Sequence, residues 1–150
     1  MGKLTSTGVK LSTVAGVPAT IDAAGFGALT FVEVGEVVDV PEYGPTVQVV
    51  ESNPLATGVT EKFAGFINYG SVAFGLELDV ADAGQILLEA AIPEAGTDNP
   101  HSFSIEYSDG MIEYFVGGVF SYTRAPGSAN SMVGSTASVE INSKIIRVTV

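Results

Sequence analysis

The chain between residues 102 and 111 reads SFSIEYSDGM, and this stretch decides the fold class. Phe103, Ile105 and Tyr107 alternate with polar residues, which is the period-two pattern of a strand with one buried face. Asp109-Gly110 follows as a tight-turn signal, because glycine tolerates the positive φ that such turns need. Residues 102–108 and 111–123 are therefore predicted to form an antiparallel hairpin.

The same alternation continues on both sides of this hairpin. Residues 71–79 place Val72, Phe74, Leu76 and Leu78 on one face, and residues 136–150 repeat the pattern as C-terminal strands. No change of composition marks a second domain in a chain of 150 residues, so we expect one domain over 1–150. The fold class predicted is mainly β: an antiparallel β-sandwich or barrel.

The stretch from Thr30 to Asn68 predicts further strands with interruptions. Gly35-Glu36 breaks the alternation and indicates a bulge or bend. The segment Pro41–Pro45 then turns the chain, Val47–Ser52 returns, and Thr60–Asn68 begins another strand. Strands joined in this way predict long hairpins.

One helix is predicted over residues 82–91. Asp79 can cap its start, and the carboxylate of Asp82 is favourable near the positive N-terminal end of the helix dipole. Pro93, two residues after Ala91, prevents the helix from continuing. Helical spacing puts four apolar residues on one stripe, which would let the helix cover a sheet. These residues are Ile86, Leu87, Ala90 and Ala91.

Composition and charge exclude several classes of function. The chain has 17 acidic and 6 basic residues, a formal net charge of −11, no cysteine and one histidine. This balance argues against a basic footprint for nucleic acid, and the missing cysteine excludes thiol catalysis and cysteine-ligated metals. The longest uncharged stretch, 125–139, is rich in Ser and Gly and too short to span a bilayer, so no membrane contact is expected.

Three weak chemical motifs have simpler structural interpretations. His101 lacks a local nucleophile and acid, and it is interpreted as a surface or strand-edge residue. Gly25-Phe26-Gly27 lacks the third glycine of a dinucleotide fingerprint and is interpreted as a turn. Asp79 and Asp82 lack the spacing of a calcium loop and are interpreted as helix caps. We therefore expect no catalytic residues, no cofactor, no metal and no enzymatic activity.

The distribution of charge is uneven along the chain. From Leu11 to Glu61 there is no basic residue, and this span carries seven acids. Either the span is an acidic solvated face, or it is a surface that repels a polyanion or meets a basic partner. The seven acids are Asp22, Glu33, Glu36, Asp39, Glu42, Glu51 and Glu61.

A series of short motifs over residues 54–148 resembles the tail tube proteins of lambda-like, long-tailed phages. The series starts at Thr57-Gly58 with Lys62 and Gly65, and continues through Gly84-Gln85 to the hairpin at 102–110. Phe115–Ser121 then resembles the family's Phe-x-Gly-x-Val-x-Ser strand, and the segment 124–130 precedes a last pair of strands.

The resemblance implies a structural virion protein of the tail. In that family, subunits form homohexameric rings that stack into a tube around a tape-measure protein, between terminator and tip proteins. DNA passes through the tube without specific binding during genome ejection. The resemblance also implies one flanking helix, hairpins that join neighbouring subunits in an inner barrel, an N-terminal arm that bridges rings, and synthesis in the bacterial cytoplasm.

Candidate residues follow from this resemblance and from the charge distribution. Residues 30–75 are expected to supply lumen-facing hairpins, with Glu33, Asp39, Glu51 and Glu61 as the acidic wall and Glu36 and Glu77 as reserves. The N-terminal arm, residues 1–9, and the Pro41–Pro45 turn are expected to act in assembly. The assembly contacts are Gly2, Lys3, Leu4, Pro41, Glu42, Tyr43, Gly44 and Pro45.

Two alternatives stay open. The first is a monomeric or dimeric β-sandwich that serves as a binding or adhesion module, although the chain has no Trp and only five Tyr for sugar stacking. The second is a tube protein of a related contractile or secretion machine, which would share the architecture.

Overall fold

The structure, a computed structural model, describes residues 3–149 and is mainly antiparallel β, as predicted. Ten strands and two helices form within this range. The strands are β1 Lys10–Ala15, β2 Val32–Val34, β3 Val37–Asp39, β4 Thr46–Ser52, β5 Glu61–Asn68, β6 Ser71–Glu77, β7 His101–Glu106, β8 Ile112–Ala125, β9 Gly134–Ile141 and β10 Ile146–Val148. The helices are α1 Ala23–Gly27 and α2 Ala83–Ala90.

Eight strands form one sheet, which we call the body. Their order is β2-β1-β7-β8-β9-β6-β3, and β10 pairs with β8 beside this path. The two ends of the path, β2 and β3, are joined in sequence by Gly35-Glu36 alone. A connection of two residues keeps the ends of β2 and β3 within about 10 Å of each other, whereas the edges of a flat sheet of seven strands would lie about 30 Å apart, or about 4.8 Å for each step between strands. The body sheet must therefore curl into a barrel-like shape.

Alternating apolar side chains fill the inside of the body. Phe103 of β7 and Phe115 of β8 are fully buried and stack with their ring centroids 5.3 Å apart. Val72, Phe74 and Leu76 of β6 are also buried, on the face that their alternation predicted. Burying such side chains supplies most of the stability of a fold of this size.

The predicted hairpin at 102–123 is present. β7 and β8 pair in antiparallel register, with Phe103 opposite Phe115. The Tyr107 N–H donates to the Met111 carbonyl over 2.7 Å, and Gly110 has the positive φ of +94° that the turn signal required.

Helix α2 lies at the predicted place but presents a different face to the core. Its N-cap is Asp82, which accepts from the Gln85 N–H, whereas Asp79 accepts from Ala81 in the preceding turn. The buried residues are Gly84, Gln85, Leu88 and Ala91. Of the predicted stripe, Ala91 is confirmed and Leu87 is half-buried, whereas the prediction was wrong for Ile86 and Ala90, which are exposed. Gln85 sets the rotation of α2 about its own axis, because the side-chain amide of Gln85 donates to the carbonyls of Gly35 and Glu77.

Two further interpretations, of Gly25-Phe26-Gly27 and of the lone histidine, need correction, and one strand of the N-terminal half was not predicted. Gly25-Phe26-Gly27 belongs to a short helix, α1, and the buried Phe26 stacks on Tyr114 at 5.1 Å. β1, which the sequence analysis did not predict, lies between β2 and β7 and buries Leu11. His101 is 3% exposed and is not a surface residue, because it begins β7 between two paired strands.

Candidate functional site: an exposed hairpin and the groove at its root

β4 and β5 form a two-stranded sheet of their own, which we call the exposed hairpin (Thr46–Asn68). Within residues 3–149, neither strand pairs with the body sheet. All residues of both strands are exposed except Gly65, which is half-buried. The region expected to supply lumen hairpins, 30–75, is therefore divided: its middle forms the exposed hairpin, whereas β2, β3 and β6 belong to the large sheet.

The exposed hairpin carries apolar side chains on both of its faces. Residues opposite each other in antiparallel register share a face, and the register pairs Val49 with Ala64 and Val50 with Phe63. Since neighbours along a strand point to opposite faces, Val49 and Val50 expose apolar surface on both sides. Phe66, at a bulge in β5, is the most exposed aromatic of the hairpin at 87%.

The two faces differ in their polar residues. One face, the apolar face, holds Val47, Val49, Ala64 and Ile67 with the pair Glu51 and Lys62. The other face, the mixed face, holds Val50 and Phe63 among polar residues and glycine. Its remaining paired residues are Thr46, Ser52, Glu61 and Asn68, and Gln48 faces Gly65 on the same side.

Such a hairpin is unusual on a free surface. A two-stranded hairpin alone is marginally stable in water, and large exposed apolar patches mark interaction sites. Both of its long edges also present unpaired backbone groups that a further strand can join. The arrangement can therefore bind other β-strands and apolar surfaces.

The four acids expected to form a lumen wall are placed in three parts of the fold. Glu33 lies on β2 and Asp39 on β3, the two ends of the body sheet, and both are exposed. Glu51 and Glu61 lie on the exposed hairpin but on opposite faces, because Glu51 pairs with Lys62 and Glu61 with Ser52. The reserve acids, Glu36 and Glu77, lie in the β2–β3 connection and on β6.

The two segments expected to act in assembly meet in one groove of about 750 Å³. Leu4 of the N-terminal arm and the whole segment Pro41–Pro45 line it. The Ser108 hydroxyl donates to the Thr5 carbonyl over 3.2 Å and so ties the N-terminal arm to the turn after β7. Lys3 is exposed, and Gly2 lies outside the described residues.

A cluster of hydroxyl groups around one carboxylate closes the floor of this groove. The hydroxyls of Tyr43 and Tyr107 lie 2.5 and 2.7 Å from Oε1 of Glu113 and also contact each other, so their two protons serve three short contacts. Nε of Arg147 lies 3.6 Å from Oε2 of Glu113. Burial, with the hydrogen bond to Glu113, raises the pKa of Tyr43 far above its usual value, and burial also raises the pKa of Tyr107.

Neither this groove nor the rest of the described chain offers a centre for catalysis on metal. No group of three His, Asp or Glu side chains in residues 3–149 is arranged to hold a metal ion. Both helices of the described range are also too short to cross a bilayer.

Sequence reasoning missed the apolar residues of the exposed hairpin as functional candidates. A signal for them exists in the adjacent pairs Val49-Val50 and Phe66-Ile67. Two neighbouring apolar residues in a strand point to opposite faces, so such a pair indicates a strand that carries apolar surface on both sides.

Comparison with known proteins identifies the fold and no family. No protein-family model matches the chain, and no curated protein matches it in sequence. A chain in a six-fold symmetrised cryo-EM structure of the anti-feeding prophage baseplate superposes with a TM-score of 0.70 at 8% identity, covering 99% of this chain and 97% of that one. A chain from the tail of an empty GTA particle, refined with C6 symmetry, gives 0.61 at 15% identity, covering 95% and 97%. The chain thus shares its fold, over nearly its whole length, with components of phage-tail-like particles.

Proposed function

We propose that this chain is a structural, non-catalytic subunit of a phage tail, which polymerises as stacked hexameric rings into the tail tube through which the genome leaves. The observation that carries the proposal is the exposed hairpin, with apolar residues on both faces and two open edges. Six such hairpins, joined edge to edge, form a closed barrel that leaves no open edge. The shared fold of two chains from six-fold symmetric assemblies supports the same arrangement.

We assign the two faces of the exposed hairpin to the outer and the channel-facing sides of such a barrel. We place the apolar face outward, against the bodies of the subunits, because burial of Val47, Val49 and Ile67 there is favourable. The mixed face then lines the channel, where its polar side chains remain in water. On this arrangement Glu61 is the hairpin acid in the lumen, and Glu51 pairs with Lys62 outside it.

A lumen ring of Glu61 would act on DNA by repulsion. Like charge on the wall keeps the phosphates away, whereas basic residues would neutralise them, release counterions and hold the DNA. Glu33 and Asp39, on the body sheet, are proposed to extend the acidic wall where the barrel meets the body. The remaining partners proposed are the tape-measure protein inside the tube and terminator and tip proteins at its ends, in a virion tail.

Assembly is tested by Val49→Lys, compared with Thr97→Lys. Val49 lies on the apolar face, and Thr97 is exposed on the loop between α2 and β7, so both variants add one positive charge at a surface site. Light scattering over a concentration series, with negative-stain microscopy, should show rings and tubes for the parent and Thr97→Lys and single subunits for Val49→Lys. A parent that stays monomeric at high concentration would contradict the proposal and favour the binding-module alternative.

A second candidate is a ring-forming subunit of a contractile machine. The chain from the anti-feeding prophage baseplate has the higher TM-score, 0.70, and this likeness in fold is the observation that favours the second candidate. Microscopy separates the two candidates: discrete rings that do not stack at any concentration favour the baseplate role, and tubes favour the tail tube.

The lumen assignment is tested in assembled tails with Glu61→Lys and its matched control Glu51→Lys. Both substitutions reverse one charge on the same hairpin, but on opposite faces. Genome ejection at low salt should slow with Glu61→Lys, because each ring would offer phosphate-binding sites, and Glu51→Lys should slow it less. If the two variants eject DNA equally fast, the mixed face does not line the channel.

A further inference from the structure

The exposed hairpin joins the body through the same dipeptide at both of its ends. Tyr43-Gly44 precedes β4, with Pro45 between, and Tyr69-Gly70 separates β5 from β6. Both tyrosine rings are partly buried and pack against the core of the body. Both glycines have positive φ, +150° at Gly44 and +80° at Gly70.

The two glycines lie side by side. A Cβ added at Gly70 would come within 3.4 Å of the Gly44 carbonyl oxygen. Glycine has far more backbone freedom than other residues, and a few residues at the ends of elements are sufficient to absorb a rigid-body rotation. The chain enters the hairpin near Gly44 and leaves it near Gly70. These two adjacent glycines therefore define an axis about which the hairpin can rotate.

The body side of each glycine is fixed by hydrogen bonds. On the entry side, Tyr43 donates to Glu113 over 2.5 Å, which holds the segment Pro41–Tyr43 to β8. On the exit side, the Gly70 carbonyl accepts from the Ile141 N–H over 3.0 Å, and Ser71 is already paired in β6. The Gly70 N–H also donates to Oδ1 of Asn68, at the end of β5, over 2.8 Å. Rotation of the hairpin is therefore left to the backbone torsions of Gly44 and to those of Gly70 within these two hydrogen bonds.

We infer that the exposed hairpin is a hinged arm that turns about Gly44 and Gly70, with the hydroxyl of Tyr43 anchoring the axis on its entry side. Without the hydrogen bonds of this hydroxyl, the whole connection between β3 and β4, residues 40–45, gains conformational freedom. The value of the hinge in assembly rests on the proposed function: a subunit can aim its hairpin at a neighbour while its body sheet stays unchanged.

The inference is tested by measuring how widely the hairpin moves in single subunits, separated from any assemblies by size exclusion. The chain has no cysteine, so Thr57→Cys at the hairpin tip and Thr97→Cys on the body accept nitroxide labels at those two sites alone. Electron–electron double resonance then gives the distance distribution between tip and body. Tyr43→Phe keeps the ring and removes the hydroxyl, and we expect it to broaden this distribution.

Two controls separate a hinge from other causes. Tyr122→Phe makes the same chemical change at another tyrosine packed on the core, outside the hairpin root, and should leave the distribution as in the parent. A second label pair, Gln48→Cys with Thr57→Cys, lies within the hairpin and should keep its distance in Tyr43→Phe. The inference is overturned if Tyr43→Phe leaves the tip-to-body distribution unchanged, or if the within-hairpin distances broaden equally. Because only single subunits are measured, these results do not depend on whether tubes form.

Discussion

The body sheet and the exposed hairpin are built from the same kind of antiparallel strand, yet they differ in what covers their apolar residues. Phe103 and Phe115 of the body stack on each other inside a closed core. Val49 and Ile67, on the apolar face of the hairpin, are more than half exposed. The body therefore carries its stability within one chain, whereas the hairpin needs a surface from elsewhere to bury its side chains. This difference is the physical reason to expect self-assembly.

The largest expected effect separates the two regions directly. Phe115→Ala should lower the free energy of unfolding by about 4 kcal/mol, because it removes a buried ring and leaves a cavity. Phe66→Ala removes the same ring from an exposed position and should change the stability of the single subunit by less than about 0.5 kcal/mol. Denaturant unfolding of dilute protein measures both. Equal losses would mean that the hairpin is part of the body's core.

The second effect concerns the polar connection between α2 and the body. Gln85→Ala should cost about 3 kcal/mol, because it removes the partner of three backbone groups at once, the carbonyls of the half-buried Gly35 and Glu77 and the Asp79 N–H. Ile86→Ala, one residue further along the same helix but half-exposed, is the matched control and should cost less than about 1 kcal/mol. Thermal unfolding compares the two. A larger loss for Ile86→Ala would restore the face predicted from the apolar stripe.

Local patterns predicted the body well where the signal lies within a few residues. The hairpin at 102–123 combines strict alternation with Asp109-Gly110, and both act over neighbouring residues. The face of α2 was wrong because a distant partner sets it: Gln85 bonds to Gly35, fifty residues away. β1 was not predicted because its centre, Leu-Ser-Thr-Val, has only a weak apolar alternation. The burial of β1 comes from β2 and β7, which lie on either side of it in the sheet.

The candidate site was predictable in its parts and not in its arrangement. The composition of the Pro41–Pro45 segment and of the N-terminal arm indicated surface positions, but a groove shared by residues 4 and 43 depends on how the whole sheet curls. The opposite faces of Glu51 and Glu61 depend on the register of β4 and β5. A shift by one residue exchanges the faces of a strand, and the sequence between these strands does not fix that register.

A smaller effect should appear at alkaline pH, at the joint between the two regions. Since burial raises the pKa of Tyr43 and of Tyr107, the folded protein favours their neutral forms. Their contribution to stability is fully present below the unfolded tyrosine pKa of about 10 and is lost as the pH rises through the folded values. Stability should therefore fall more steeply above about pH 10 in the parent than in Tyr43→Phe. Equal slopes in denaturant titrations at several pH values would mean that Tyr43 ionises freely.

The smallest expected effect on stability belongs to the N-terminal arm. Deleting Gly2–Thr7 removes one wall of the groove and two hydrogen bonds, from Ser108 to Thr5 and from the Val9 N–H to Ser6, but it keeps Val9, which packs against the core. Exposed hydrogen bonds contribute about 1 kcal/mol or less each, so the thermal midpoint should stay close to that of the parent. If the arm bridges rings, the truncated protein should still form rings and fail to stack, as negative-stain microscopy would show. Ser108→Ala is the matched control, since it loses the hydrogen bond to Thr5, keeps the arm and should still stack. A fall of many degrees in the midpoint on deletion, without a similar fall for Ser108→Ala, would show that the arm belongs to the body's core and not to the contacts between rings.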